Sequence, residues 1–506
     1  MISIQEMAIF CKRKGFVYLN SEIYGGLAGF FDYGPLGVEL KNNIKQEWWK
    51  KHVHEREDIV GIDGCIITNA KVWEASGHVS SFLDIFLECK KCHERVRADE
   101  YIEEKLKIKV EGLKPEDIDI IVKENTLRCP KCKGEFERAK PFNLMFKTFV
   151  GPAEDYLTYL RPETAQLIFV DFKDVVENAR LKLPFGIAQV GKVFRNEISP
   201  RNFLFRCREF EQMEIEYFVN PYEKENCPYL KDFENYKLKV LTADMQKKNQ
   251  GEKEMIIKDI IKKRLLNPWH IYWLAFEHKF FVDLGVNPEN LRIRQHTKEE
   301  LAHYSKDCWD LEYKFPFGWK ELQGIADRED FDLRQHIKYS KKDLSIYDEK
   351  RKKKIVPHVI AEPSLGVDRA FLVFMFEAYN YDKKRENIVL RLHPKLAPIK
   401  LGIFPLVNKL ENQAYEIYKK LRTKFVCYFD KSGSIGRRYA RADESGVPYC
   451  ITIDFDTAKD KSVTIRDRDT TKQIRVKLKE LENVLEKLIK KEVKFEKAGK
   501  VVYEGE

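Results

Sequence analysis

The chain has 506 residues, 43% of them hydrophobic and 34% charged, which is too long for one ordinary core and too apolar for disorder, so two to four domains are expected. It has no apolar run near the roughly 18 residues of a membrane span, and its opening Met1-Ile-Ser-Ile-Gln-Glu-Met lacks the basic head and apolar stretch of a signal peptide, so a cytoplasmic protein without membrane contact is expected. A formal charge of +10 suits a polyanionic partner, and equally suits plain solubility.

Residues 1–88 predict a helix, the glycine-rich segment Tyr24-Gly25-Gly26-Leu27-Ala28-Gly29, and a helix from about Val38 to Val53 that carries Trp48 and Trp49. Residues 89–140 change character and read as an insertion, with Cys89-x-x-Cys92 and Cys129-x-x-Cys132 at its ends and a Lys/Glu-rich middle. Inside it, Pro115-Glu116-Asp117 predicts a short helix, because proline suits a first turn and acids favour a helix N-terminus. From Pro141 to about Tyr217 strands alternate with helices, and 192–197 and 211–218 are expected to pair as an antiparallel hairpin around the loop 198–210. Residues 222–290, lysine-rich and then aromatic, are expected to form a helical insertion, and the lysine run at 351–354 an exposed hairpin tip. A helix starts near Arg369 and ends by Glu377. Beyond residue 391 the pattern is strand, helix 409–425, strand 426–429, strands 448–456 and 461–467, then helix 477–492, which indicates a separate α/β domain.

Of the eleven cysteines, the four in the two pairs supply enough thiolates for a closed, structural tetrahedral zinc site. The 36 residues between the pairs exceed the usual ribbon spacing, so the intervening segment must loop out. Free thiols on two hairpins, or a redox pair, are the alternatives. His93, beside a ligand, is expected to be exposed and uncoordinated.

Arg195 follows an apolar strand and Arg369 opens an apolar helix, so two guanidinium forks could grip a phosphate chain from two sides. Glu197 shares the strand face of Arg195; a cross-strand ion pair is the plain alternative. In order over about 340 residues, Phe30-Phe31-Asp32-Tyr33-Gly34-Pro35, Val193-Phe194-Arg195-Asn196-Glu197, Phe205-Arg206-Cys207-Arg208-Glu209-Phe210 and Leu365-Gly366-Val367-Asp368-Arg369 resemble motifs 1, 2 and 3 of class II aminoacyl-tRNA synthetases. Finer segments resemble the homodimeric glycyl-tRNA synthetases over nearly the whole chain. They are Arg97-Ala98-Asp99, 161–166 (RPETAQ), 210–214 (FEQME), Ala302-His303-Tyr304 with 307–310 (DCWD), 321–328 (ELQGIADR), and Glu362-Pro363-Ser364.

The resemblance implies an α+β fold: a class II catalytic core, mainly an antiparallel sheet flanked by helices, over 1–88 and 141–390, followed by an α/β anticodon-binding domain at 391–506. It implies activation of glycine with ATP and transfer to tRNA-Gly, with no role for DNA. Arg195, Glu197 and Arg369 would be catalytic. ATP would meet Arg195, Asn196, Glu197, Phe205, Arg206, Arg208, Phe210, Glu321, Leu322, Gly366, Asp368 and Arg369, with Glu321 also a ligand for Mg2+. Glycine would meet Arg97, Glu163, Phe210, Glu211, Gln212, Met213, Glu214, Glu362, Ser364 and Gly366. Such a substrate asks for carboxylates around its ammonium, a cation for its carboxylate and no room beyond Cα; nothing smaller exists to exclude, so no editing domain is expected. Zn2+ at the four cysteines rests on their spacing, because glycyl enzymes do not all keep them. Motif 1 would build the dimer, although a Trp48–Trp49 pair buried in one core fits as well. Arg437, Arg438 and Arg441 would face tRNA phosphates, or form a solvated basic helix. Two rivals remain: a nucleic-acid binder on a retired synthetase scaffold, and a prolyl or threonyl sibling.

Overall fold

The computed structural model describes residues 2–108, 110, 112–153, 155–301 and 305–505. Its centre is a nine-stranded sheet. In chain order the strands are β1 (Ile59–Ile62), β2 (Phe185–Phe194), β3 (Glu209–Val219), β4 (Lys237–Leu241), β5 (Lys253–Ile256), β6 (Leu291–Gln295), β7 (Asp307–Phe315), β8 (Gly318–Asp327) and β9 (His358–Gly366). Across the sheet they run β5-β4-β6-β7-β8-β9-β3-β2-β1, antiparallel except for the β4–β6 and β1–β2 pairs. The mainly antiparallel sheet flanked by helices is therefore present.

Strand alternation divides this sheet chemically. Along β3, Met213, Ile215 and Tyr217 enter the main apolar core, while Gln212, Glu214 and Glu216 point to the other face. Helices α1 (Pro35–Trp49), α2 (Pro268–Asp283) and α3 (Val367–Ala378) contribute to the same core. The α2 sequence is apolar nearly all round, as a helix sheltered on most sides must be. The segment 222–290 is not simply helical: β4 and β5 extend the central sheet, because Leu238 and Val240 alternate inward between outward lysines.

Residues 83–143 hold a three-stranded sheet (Leu83–Glu88, Arg95–Arg97, Lys140–Asn143) and helices Ala98–Leu106 and Pro115–Glu124 around a small core of their own. The C-terminal sheet has strands β10 (Leu401–Pro405), β11 (Cys427–Phe429), β12 (Tyr449–Ile453), β13 (Ser462–Asp467), β14 (Gln473–Lys477) and β15 (Lys500–Tyr503), in the order β11-β10-β12-β13-β14-β15. Its first three strands are parallel and the rest antiparallel. Neither β14 nor β15 was expected, since both are short, five and four residues.

Candidate active site

A cavity of about 420 Å³ opens over the polar face of β3, β8 and β9. The β2–β3 hairpin supplies one wall, with Phe210 opposite Val193 and Glu209 opposite Phe194. Arg195 leaves β2 at the rim, where its backbone N–H donates to Arg208 O at 2.9 Å. Its Nε donates to Pro162 O at 3.1 Å, and its guanidinium lies 5.5 Å from the rings of both Phe82 and Phe210. Held between two aromatic rings, the guanidinium sits in the cavity wall with its direction set.

Arg369, in the first turn of α3, stands across from it. Its Nε donates to Phe205 O at 3.2 Å, its Nη1 lies 3.1 Å from Glu321 Oε2, and its guanidinium covers the Phe205 ring at 4.6 Å. Arg206 is tied by Nη1 to the Glu100 carboxylate, whose other oxygen is 2.9 Å from Arg201 Nη2. Glu100 lies on helix Ala98–Leu106, so the hairpin loop is fastened to the cysteine-bearing insertion.

Beneath this grip the cavity is acidic. Glu163, Glu214 and Glu362 line it with Gln212, Ser364, Gly324 and Ala326. Glu163 Oε2 meets His78 Nε2 at 3.2 Å, and its Oε1 accepts from Gln166 Nε2 at 2.9 Å. Burial alone would lift this carboxyl, but His78 and Arg328 hold it below the ordinary carboxylate range. Glu214 accepts from the Thr164 hydroxyl, and burial followed by the charge of Glu163 raises its pKa. Glu362 Oε1 takes a 2.7 Å bond from Arg328 Nη1, yet burial still carries it well above the usual value. Arg328 is 1% exposed and also grips Asp332 through Nε at 2.7 Å and Nη2 at 2.8 Å. On the far wall, His296 Nε2 lies 2.8 Å from Asp310 Oδ2, beside Cys308.

Several expected side chains lie elsewhere. Glu211 and Met213 project from the opposite face of β3, Glu211 onto Lys41 (2.9 Å) and Lys45 (3.1 Å), and Met213 into the core. Leu322 is the extra residue of a bulge opposite Leu311 and Glu312, and it too enters the core. Neither Asn196 nor Arg208 lines the cavity; Arg208 is spent on Glu197 O and Ala28 O. Asp368 borders the cavity, but its carboxylate is held by Tyr33, by Lys41 at 3.3 Å and by the Glu211 N–H at 2.9 Å. Arg97 lines the cavity with Nη1 2.9 Å from Asp84 and Nε 2.8 Å from Asp99. Phe205, Arg206, Phe210, Ser364, Gly366 and Glu197 are all in the lining. Ala302-His303-Tyr304 lies outside the described residues.

Residues without a prior role include His78, Thr164, Asp332, Phe82 and Glu216. Thr164, Arg328 and Asp310 stood inside quoted motifs, but no signal marked them as partners. Glu216 could have been found by counting two residues on from Glu214.

The four paired cysteines converge. Cys89 and Cys132 sulfurs are 3.4 Å apart, those of Cys92 and Cys129 are 3.6 Å apart, and all four lie within 4.8 Å of one another. A tetrahedron with Zn–S near 2.3 Å has edges of about 3.8 Å, so the set fits zinc. Two matching turns build it, with His93 N–H to Cys89 O and Lys133 N–H to Cys129 O, each 3.0 Å. A Cβ at Gly134 would lie 3.0 Å from Cys89 Sγ and from Lys91 Cβ, closer than ordinary contact, so a side chain there would press on the cysteine turn. His93 is exposed and paired with Glu88.

In the C-terminal sheet Arg438 is buried, with a 2.6 Å bond from Nη1 to Pro405 O, so it cannot present its charge to a partner. Arg441 is exposed but held by Asp430 at 2.5 Å, which leaves Arg437 as the exposed member of the three with no ion pair among the described residues. Trp48 is fully buried and stacks on His52 at 4.6 Å, so it belongs to the chain's own core rather than to an outer surface.

The sheet, the two opposed arginines and the β2–β3 hairpin between them define a class II aminoacyl-tRNA synthetase core. Residues 150–258 match the tRNA synthetase class II core domain (G, H, P, S and T), and residues 400–488 match the anticodon binding domain. A structure of prolyl-tRNA synthetase from Cryptosporidium parvum superposes with a TM-score of 0.56 at 14% identity, over 96% of this chain and 77% of that one, a likeness of fold alone. The glycine–tRNA ligase of Acetivibrio thermocellus is 48% identical over 490 residues, covering 95% of this chain and 97% of its own. That of Clostridium acetobutylicum is 46% identical over 500 residues, covering 96% and 99%. The chain belongs to the glycine–tRNA ligase family.

Proposed function

We propose that the protein activates glycine with ATP to glycyl-adenylate and then passes glycine to the 3′ end of tRNA-Gly. The observation that carries this reading is the joining, in one cavity, of an opposed arginine pair with a pocket walled by three glutamates and floored by Gly324 and Ala326. An ammonium suits the glutamates, and a floor of small residues leaves little space for a side chain.

In this reading Arg195, fixed between Phe82 and Phe210, meets the α-phosphate, and Arg369 meets the γ-phosphate. Adenine stacks near Phe205, whose ring already lies under the Arg369 guanidinium. Glu163, Glu214, Glu362 and Ser364 take the glycine ammonium, and Arg97 is the candidate cation for its carboxylate. The glycine carboxylate attacks the α-phosphorus, pyrophosphate leaves, and the terminal ribose hydroxyl of tRNA later attacks the activated carbonyl. Positioning and charge stabilisation by the two arginines do this work without a protein nucleophile. Mg2+, which neutralises phosphate charge when bound, would be held by Glu321, a hard oxygen donor beside Arg369.

Zn2+ at Cys89, Cys92, Cys129 and Cys132 would be structural. Arg437 would approach tRNA phosphates. A homodimer through motif 1 is supported by exposed Ile23 (89%), Tyr24 (86%), Leu27 and Val38 around that segment. Among the described residues no helix is long and apolar enough to cross a membrane; cytoplasmic residence follows from the translation role proposed here.

ATP–pyrophosphate exchange without tRNA, run with glycine, alanine, serine, proline and threonine, tests the reading. Exchange with glycine alone is expected. Exchange with a different amino acid would overturn the pocket assignment, and no exchange from folded, magnesium-supplied protein would overturn the enzymatic reading.

A further inference from the structure

Glu216 is the anomaly of the acidic pocket. It sits two residues beyond Glu214 on the same face of β3, is fully buried, and neither of its oxygens has a hydrogen-bond partner among the described residues. Its carboxyl lies with those of Glu214 and Glu362 in a cluster whose ligand oxygens are all within 4.8 Å of one another. Nothing in the proposed reaction uses it, because it stands behind the cavity lining rather than in it.

Charge balance shows why it matters. Glu163, Glu214, Glu216, Glu362 and Asp332 put five carboxyls around one spot, and the groups paired with them are the Arg328 guanidinium and the His78 imidazole. A glycine ammonium adds one more positive charge. Even were the imidazole charged, five buried anions against three cations is not a stable arrangement, so protons must be held somewhere. Glu163 is paired with His78, Asp332 with Arg328, and Glu362 with Arg328, while Glu214 accepts from Thr164. Glu216 alone has no partner to stabilise a charge. Burial first, then the charge of Glu362, push its carboxyl well above the ordinary range.

We propose that Glu216 is a positioning residue for glycine, a protonated carboxyl that donates from behind the pocket to the Glu214 or Glu362 carboxylate and keeps both aimed at the ammonium. The donation is direct or through one water, and the separations within the cluster allow either. This rests on the glycine-activating reading above. A neutral donor here removes one repelling charge and satisfies one lone pair of an anion that the substrate must find correctly oriented.

The test compares wild type, Glu216→Gln and Glu216→Leu in glycine-dependent ATP–pyrophosphate exchange, with KM for glycine and for ATP measured separately. Glutamine mimics the neutral acid in shape and donor capacity, so E216Q is expected to hold the glycine KM within about threefold. Leucine offers no donor, so E216L is expected to raise it about tenfold or more, as for a lost hydrogen bond to a charged group, with the ATP KM little changed. A glycine KM in E216L equal to wild type overturns the proposal, as does E216Q failing as badly as E216L, because a charged Glu216 would then be required. If E216L does not fold, infrared difference spectroscopy of wild type against E216Q decides: the carbonyl stretch of a protonated carboxylic acid must vanish in E216Q. Absence of that band from wild type also overturns the proposal. Failure of wild type to exchange with glycine at all would instead defeat the parent reading.

Discussion

Replacing Arg328 with methionine tests whether the acidic pocket is held together by one buried cation. Arg328 is 1% exposed and spends three nitrogens on two carboxylates, Nε and Nη2 on Asp332 at 2.7 and 2.8 Å and Nη1 on Glu362 at 2.7 Å. Both carboxylates are themselves buried. Methionine keeps most of the volume but leaves two acids without a cation, and breaking a buried pair in this way costs about 3–5 kcal/mol. The sign of the pH dependence follows. In the variant the two buried acids hold protons in the folded state that they release on unfolding, so the folded state binds more protons and stability falls as pH rises. The deficit is therefore expected to shrink between about pH 8 and about pH 5. All seven tryptophans lie between Trp48 and Trp319, so urea unfolding followed by tryptophan fluorescence reports this part of the chain and not the C-terminal sheet. A loss under about 1 kcal/mol, or one that is the same at both pH values, would refute the view that Arg328 neutralises the pocket.

Three further outcomes are expected. Cys129→Ser should reduce bound zinc from about one per chain to almost none and make residues 89–140 susceptible to proteolysis; undiminished zinc would place the metal elsewhere. His278 is buried beside Tyr236, and burial lowers its pKa from 6.5 to about 4, so only the unfolded chain takes up this proton between those values. The stability is full above the ordinary value and falls on acidification by up to about 3 kcal/mol, and His278→Gln should flatten that slope in urea titrations across pH. Arg437→Ala should weaken tRNA charging without moving the melting temperature, whereas Arg438→Ala should destabilise the C-terminal sheet by stranding the carbonyls it serves; the reverse pattern would exchange their roles.

Much of the fold was legible because its signals are local. The β2–β3 hairpin and helix α3 around Arg369 announce themselves through apolar periodicity and charge placement; the tip expected at 351–354 turns two residues earlier, at 349–352, with Lys353 and Lys354 already in a strand. The 222–290 segment misled because β4 and β5 are only five and four residues long, and their alternation is drowned by surrounding lysines. Their place in the central sheet depends on pairing with β6, some fifty residues further on, and no local pattern carries that information.

The site was legible as a set of types and much less as a set of directions. A contiguous motif such as 210–214 reads as five neighbours, but a strand sends alternate members to opposite faces, so Phe210, Gln212 and Glu214 reach the cavity while Glu211 and Met213 leave it. The same alternation, carried one step further, puts Glu216 beneath the pocket. Parity could have been applied to the sequence alone; the bulge at Leu322 could not, because an extra residue shifts the count without changing composition. Partners are harder still. Glu100 and Arg206 are over a hundred positions apart, and their union depends on how the cysteine-bearing insertion folds back onto the hairpin loop. That contact has a consequence for chemistry. Helix Ala98–Leu106 begins immediately after Arg97 and carries Glu100, so whatever fixes the four sulfurs also fixes the approach of one cation and the tether of another. A metal held by the four sulfurs, none of which lines the cavity, would thus act on substrate binding through backbone placement.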